Sequence, residues 1–234
     1  MTDSSPWTTF DPALPFVAIR YGSARARMAV FGVGDDDHGR RLLVVSPGAP
    51  FDDARHAELA RWGRPAWLLA PNHFHNAGIA AWKARYPDAR VVAHPRALPR
   101  LRRQVPGVAF EDLSGLEAEL PAPMRLLCPP GARQGEVWVS LRTPAGVAWF
   151  VTDALVNESK LVGPAGAMLW LAGFRARLMT NPLFKTFFLD DRAAYRRWAL
   201  DELAREAPTL FVPAHGRTLE GPDTPALLQA AIEA

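Results

Sequence analysis

The sequence predicts a layered α/β fold, and three observations carry that reading. Short apolar runs bounded by Pro, Gly and Asp recur along the chain and alternate with segments of helical pattern. The run Trp67-Leu68-Leu69-Ala70 is apolar at every position, as in a strand buried on both faces. His or Asp residues stand where three separate strands run out, which is where layered α/β folds gather their sites.

The elements follow in order. Phe16 to Arg20, Met28 to Val33 and Arg41 to Val45 read as strands of a β meander, with Asp35-Asp36-Asp37-His38-Gly39 as the polar turn between the last two. Asp52 to Trp62 reads as a helix capped by Asp52 or Asp53, followed by the strand Ala66 to Ala70. A helix from about Ala77 to Tyr86 stops at Pro87-Asp88-Ala89, and Arg90 to Ala93 is the next strand, completing a β-α-β-α-β rhythm. An Arg-rich helix near Leu98 to Gln104 follows, and the chain passes through Leu113 to Leu127 to the turn Pro129-Pro130-Gly131-Ala132-Arg133-Gln134-Gly135. The strands Glu136 to Arg142 and Val147 to Thr152 flank Thr143-Pro144-Ala145-Gly146, a hairpin pattern. A mostly helical insertion over about 160–205, its last helix capped by Asp190 or Asp191, leads to the strand Thr209 to Val212 and then Pro213-Ala214-His215-Gly216.

Composition bounds the function. A chain of 234 residues that is 49% hydrophobic and 22% charged reads as one globular domain, 1–234, with a sizeable core. Met1 to Thr9 lacks the basic and apolar regions of a secretory signal, and the single cysteine, Cys128, excludes a disulfide framework and any Cys-rich metal site. A reducing cytoplasm fits both. The basic residues are spread through the chain and only three of the 27 are lysine, so the net charge of +3 reflects composition and implies no nucleic-acid partner. Arg96, Arg100, Arg102 and Arg103 cluster without interleaved aromatics, the pattern of a solvated face. The uncharged stretch Leu161 to Phe174 is too short to span a bilayer, so no transmembrane segment is expected there. With Arg175, Arg177 and Lys185 beyond it, the segment 161–189 reads as a lid or a homodimer contact, with membrane-surface association as a further reading.

His73 and His75 lie just past the apolar strand, and one intervening residue lets a kinked loop aim both rings at one ion. Asp153 and His215 stand at two further strand ends. Three His and one Asp suit zinc, iron or manganese. Each has a structural alternative: an incidental loop pair for the two histidines, a turn or helix cap for Asp153, and a loop hydrogen bond for His215.

In this order the motifs resemble those of the metallo-β-lactamase superfamily, over most of the chain. That family carries His-x-His-x-Asp-His after a buried strand, a Gly-His-Thr-like turn before a hairpin, an Asp at a strand end and a late Gly-His. Here His73-Phe74-His75-Asn76-Ala77-Gly78, Gly131-Ala132-Arg133-Gln134-Gly135, Asp153 and His215 take those places. The resemblance implies a four-layer αββα sandwich of two mixed sheets flanked by helices. It also implies hydrolysis of an ester, thioester, lactone or phosphoester small molecule by metal-bound hydroxide, with Asp153 next to that water.

The departures change the expectation. Ala77, Gly78 and Ala132 replace three of the seven usual ligands. By the family's pattern at most one divalent ion remains, zinc first, held by His73, His75, Asp153 and His215. If the site has decayed there is none, and the chain is a non-catalytic module binding a small ligand. In the hydrolase reading Glu136 is a substitute acid or base; otherwise it is simply the first residue of an exposed strand. Arg133 offers a guanidinium to a substrate carboxylate or phosphate, Asn76 is a turn former or substrate contact, and His38 lies in a loop that in this fold approaches the cleft. His56 and His94 read as structural.

Overall fold

The computed structural model describes residues 6–13, 15–22 and 26–234. They form two compact units, 1–122 and 123–234, each built on one mixed sheet with helices around it.

The first unit has seven strands in chain order. β1 (Thr8–Asp11), β2 (Phe16–Tyr21), β3 (Ala26–Asp36) and β4 (Gly39–Val45) are antiparallel, so the expected meander is present with one more strand at its edge. The ladder of β3 and β4 runs to the pair Asp36 and Gly39, which shrinks the polar turn to Asp37 and His38. The sheet then turns parallel, because each later connection passes through a helix rather than a tight turn. α1 (Asp53–Leu59) leads to β5 (Arg64–Ala70), α2 (Ile79–Arg85) to β6 (Arg90–Ala93), and α3 (Leu98–Gln104) to β7 (Phe110–Glu111), with α4 (Ser114–Glu119) last. Asp52 caps α1 by accepting from Arg55 N at 2.9 Å. β5 is buried from Pro65 to Ala70, as its unbroken apolar run predicts. The two-residue β7 and six-residue α4 carry too little periodicity to be read from sequence.

This unit's core packs Val30, Val44, Leu68 and Val91 of the sheet against Leu59 and Trp82 of the helices. Trp82 donates its ring N–H to Gly48 O at 2.9 Å. His56 is part of this packing: Nδ1 lies 2.9 Å from Tyr86 Oη and its ring meets Phe51 and Trp82.

The second unit opens with β8 (Met124–Leu127), β9 (Trp138–Thr143) and β10 (Gly146–Val151), the last two forming the expected hairpin. β11 (Leu155–Asn157), α5 (Gly163–Leu171), β12 (Leu178–Thr180), α6 (Pro182–Phe187) and α7 (Arg192–Glu206) come next, followed by β13 (Leu210–Pro213), β14 (Leu219–Glu220) and α8 (Thr224–Glu233). The sheet order is β14-β13-β10-β9-β8, with β10 and β13 its parallel pair. The insertion is mostly helical but also contains β12, which pairs antiparallel with β11 in a separate ribbon. Asp191 caps α7, accepting from Ala194 N at 2.9 Å.

One buried carboxylate ties this unit together. Glu206, at the end of α7, accepts from Trp149 Nε1, Ser140 Oγ and Arg125 Nη1, each at 2.6 Å. Its charge is therefore paired and hydrogen-bonded, the condition under which a buried ion is tolerated. Among the described residues no helix is long and apolar enough to cross a membrane.

Two histidines, the buried His56 and the half-buried His94, make the first unit acid-sensitive. Burial, then the Arg85 charge, holds His56 below its ordinary value of 6.5, and burial, then Arg96, does the same for His94. Each binds fewer protons folded than unfolded at pH values under 6.5. Their stabilisation is thus fully present above that pH and is lost as pH falls. Urea midpoints measured from about pH 7 down to about pH 5 are expected to fall progressively, and less steeply in His56→Gln.

Candidate functional site

In the second unit, register alone brings two donors together. β10 and β13 run parallel with Val151 opposite Pro213, so the residues two further along each strand, Asp153 and His215, arrive side by side. His215 Nε2 lies 3.2 Å from Asp153 Oδ1. The crossing is reinforced below the pair: Ala214 N donates to Val151 O at 2.7 Å and Asn157 N donates to His215 O at 3.1 Å. Gly216 follows with φ of 102° and its Cα tight against the Asn157 carbonyl, where an added Cβ would fall 2.1 Å from that oxygen.

Glu136 holds this strand end. It is fully buried, which corrects the expectation of an exposed strand start. Its Oε1 accepts from Thr152 Oγ1 and Asp153 N at 2.8 Å, from Ala154 N at 3.0 Å and from Trp138 Nε1 at 3.2 Å. The carboxylate thus acts as a clamp on the Asp153 backbone. Burial, with the Glu136 charge added, pushes the nearby Tyr195 phenol well above its usual range.

In the first unit, the loop after β5 is organised by Asn72, itself fully buried. Its Oδ1 accepts from Phe74 N at 2.8 Å and His75 N at 3.2 Å, turning the chain so that His73 and His75 are both buried. His75 Nδ1 lies 2.7 Å from Ser46 Oγ, and Ser46 Oγ lies 2.7 Å from Tyr21 Oη. A partner on one ring nitrogen orients the other, the device that aims histidines at metals. Asn76 is a turn former: its Nδ2 donates to His73 O at 2.6 Å and to Gln104 Oε1 at 3.0 Å.

Two other expectations change. His38 immediately precedes β4, whereas Ser46, the partner of His75, immediately follows it; the seven strand residues between, at about 3.3 Å each, separate them by roughly 23 Å. His38 is therefore not part of the His75 cluster, and its backbone N–H is used by Asp36 at 2.9 Å. Arg133 is exposed, and its Nε donates to Asp190 at 2.6 Å, so its charge is matched by the connection between α6 and α7.

Sequence reasoning passed over Tyr21, Ser46, Asn72 and Gln134. Ser46 was accessible to it, since it ends the strand that runs parallel beside β5 and so arrives level with the site. Gln134 is buried in the 131–135 turn and its Oε1 has no hydrogen-bond partner among the described residues. Only its place between Gly131 and Gly135 hinted at a role.

No family model matches the chain, and no curated protein matches it. Solved structures do. Over 97% of its length the chain is similar to the DIM-1 metallo-β-lactamase exposed to ceftazidime, at 12% identity, 95% of that chain and a TM-score of 0.58. Over 97% it is also similar to the FIM-1 metallo-β-lactamase from Pseudomonas aeruginosa in the mono-zinc form, at 13% identity, 94% of that chain and a TM-score of 0.60. The chain has the metallo-β-lactamase fold. TTHA1623 in a di-iron-bound form shares it at 18% identity, covering 88% of this chain and 96% of that one, with a TM-score of 0.54.

On the metallo-β-lactamase fold, packing accounts for two of the three departures from the superfamily's ligand pattern, Gly78 and Ala132. At Gly78 a Cβ would fall 2.4 Å from Pro47 O and 2.6 Å from Gly48 O, so no histidine fits where the superfamily pattern has one. Ala132 is buried and bridges to Leu189, a core position. Ala77 is exposed and makes no such packing demand.

The clamp is testable by stability. Glu136→Ala strands buried donors and is expected to cost at least about 3 kcal/mol, whereas Glu136→Gln keeps the accepting oxygen and is expected to cost clearly less. Urea unfolding followed by circular dichroism measures both. An alanine cost within about 0.5 kcal/mol, the range of an ordinary surface change, sinks the clamp.

Proposed function

We propose that this chain is a metal-dependent, hydrolase-like protein holding at most one divalent ion, with His73, His75, Asp153 and His215 as the donors and zinc as the first choice of metal. The observation that carries the reading is the 3.2 Å separation of Asp153 Oδ1 and His215 Nε2 at two adjacent strand ends. Zinc bonds to such atoms are about 2.0–2.1 Å long, so two tetrahedral ligands lie about 3.3 Å apart, close to the spacing found.

Held by these residues, a divalent ion would supply Lewis acidity, lowering the pKa of a water towards neutrality and polarising an acyl or phosphoryl oxygen. Glu136 fixes the backbone of Asp153 and so the carboxylate's aim; Ser46 and Asn72 orient His75. The substrate class follows the superfamily resemblance: an ester, thioester, lactone or phosphoester of a small molecule. Arg133 and Asn76, both engaged locally, serve the loops they sit in.

A second reading, a non-catalytic binding module, draws on Gly78, where packing leaves no room for a further ligand. Elemental analysis of tag-free protein separates the two. About one equivalent of zinc, iron or manganese is expected, lost in Asp153→Ala and His215→Ala together with hydrolysis of an activated ester. Turnover that persists in metal-free protein rejects the hydrolase reading; metal-free protein with no uptake on incubation leaves the binding module.

A further inference from the structure

From residue 159 to residue 189 the chain carries Lys160, Arg175, Arg177 and Lys185 and not one Asp or Glu. Within this segment α5 is apolar on every face, and its only buried residue is Gly166. A Cβ at Gly166 would fall 2.4 Å from the Leu161 carbonyl carbon, so the helix rests there on its own lead-in and presents the rest of its surface outward. Leu171 is 77% exposed, Val162 73% and Met168 71%. A helix that is apolar all round belongs in a core or in lipid, and this one is outside the core. α6 extends the patch with exposed Leu183 and Phe187, and the two helices adjoin, since a Cβ at Gly173 would lie 3.2 Å from Pro182 Cβ. At the edge, the Arg175 guanidinium stacks 5.0 Å from the centre of the Trp170 ring, and its Nη1 donates to the Trp170 and Phe174 carbonyls at 3.0 and 2.7 Å. A cation is thereby fixed beside an exposed indole, a pairing suited to the boundary between water and lipid.

We propose that α5, with Leu183 and Phe187, docks on an anionic lipid surface. The apolar side chains enter the headgroup boundary while Lys160, Arg175 and Arg177 face lipid phosphates and carboxylates. Charge argues against a second copy as the occupant: two such segments face to face would oppose four cations to four cations with no acid in either segment. Spanning is excluded for α5, because nine helical residues extend only about 13 Å.

The test is co-sedimentation with vesicles of phosphatidylcholine alone and of phosphatidylcholine with phosphatidylserine. The wild type is expected to pellet with the serine-containing vesicles at about 0.1 M salt and to be released towards about 1 M, as the screening length falls from about 10 to about 3 Å. Lys160→Glu with Arg177→Glu is expected to weaken binding at least about 25-fold, at roughly fivefold per lost cation. Met168→Glu with Leu171→Glu is expected to abolish pelleting at unchanged circular dichroism and thermal midpoint. Should these variants fold poorly, brominated acyl chains that quench tryptophan fluorescence of the wild type support the proposal, and absence of quenching overturns it. Lack of pelleting at low salt overturns it, as does binding indifferent to both substitutions. A dimer seen by sedimentation velocity and split by Met168→Glu with Leu171→Glu also overturns it, by giving the face to a second copy.

Discussion

The four-donor hold of Glu136 on the strand end after β10 is the constraint on which the second unit's site depends. Parallel pairing brings Asp153 and His215 to one level, but a strand end left to itself frays into a loop with many orientations. Glu136 removes that freedom by taking Asp153 N, Ala154 N and Thr152 Oγ1 on one oxygen. Because it is fully buried, these bonds are not exchanged for water, and losing them strands several donors at once. Glu206 does the same for the sheet beneath, gathering Trp149, Ser140 and Arg125. Two buried carboxylates, each compensated, thus set the geometry of this unit.

The first unit reaches precision by a different route. β5 is apolar because both its faces are covered, and all its polarity is deferred to the residues just beyond it. Asn72 converts that abrupt change into a turn, and Ser46, from the parallel neighbour, meets His75 there. Gly78 lets the backbone of α2 close against Pro47 and Gly48. That close approach requires glycine, since any side chain at 78 would collide with the Pro47 carbonyl. Glycine at 78 is thus part of the packing of this loop.

Outside the site, the distribution of apolar surface is uneven. Both units bury their large aromatics, with Trp67, Trp82, Trp138 and Trp149 nearly or fully inaccessible. α5 departs from that economy, exposing Met168, Trp170 and Leu171 in a segment without acids. Apolar area left in water at this scale marks a surface that meets something other than water.

Much of this molecule was legible in the order of its residues. Periodicity and turn chemistry located β6 and α3 residue for residue and the β9 and β10 hairpin, and narrowed two helix caps to Asp52 or Asp53 and Asp190 or Asp191, because those signals are local; the structure has Asp52 and Asp191. The motif order likewise pointed to the metallo-β-lactamase fold. Short elements such as β7, β12 and β14 escaped because two or three residues carry no period. The site divided along the same line. His73, His75, Asp153 and His215 could be singled out as strand-end donors from sequence, but the sequence could not say that Asp153 and His215 are 3.2 Å apart, since that follows from a parallel register between strands some sixty residues apart in the chain. Nor could it assign Glu136 to a buried clamp, place His38 at the far end of its strand or close position 78 to side chains. Those are matters of distance and burial, and only the packed chain decides them.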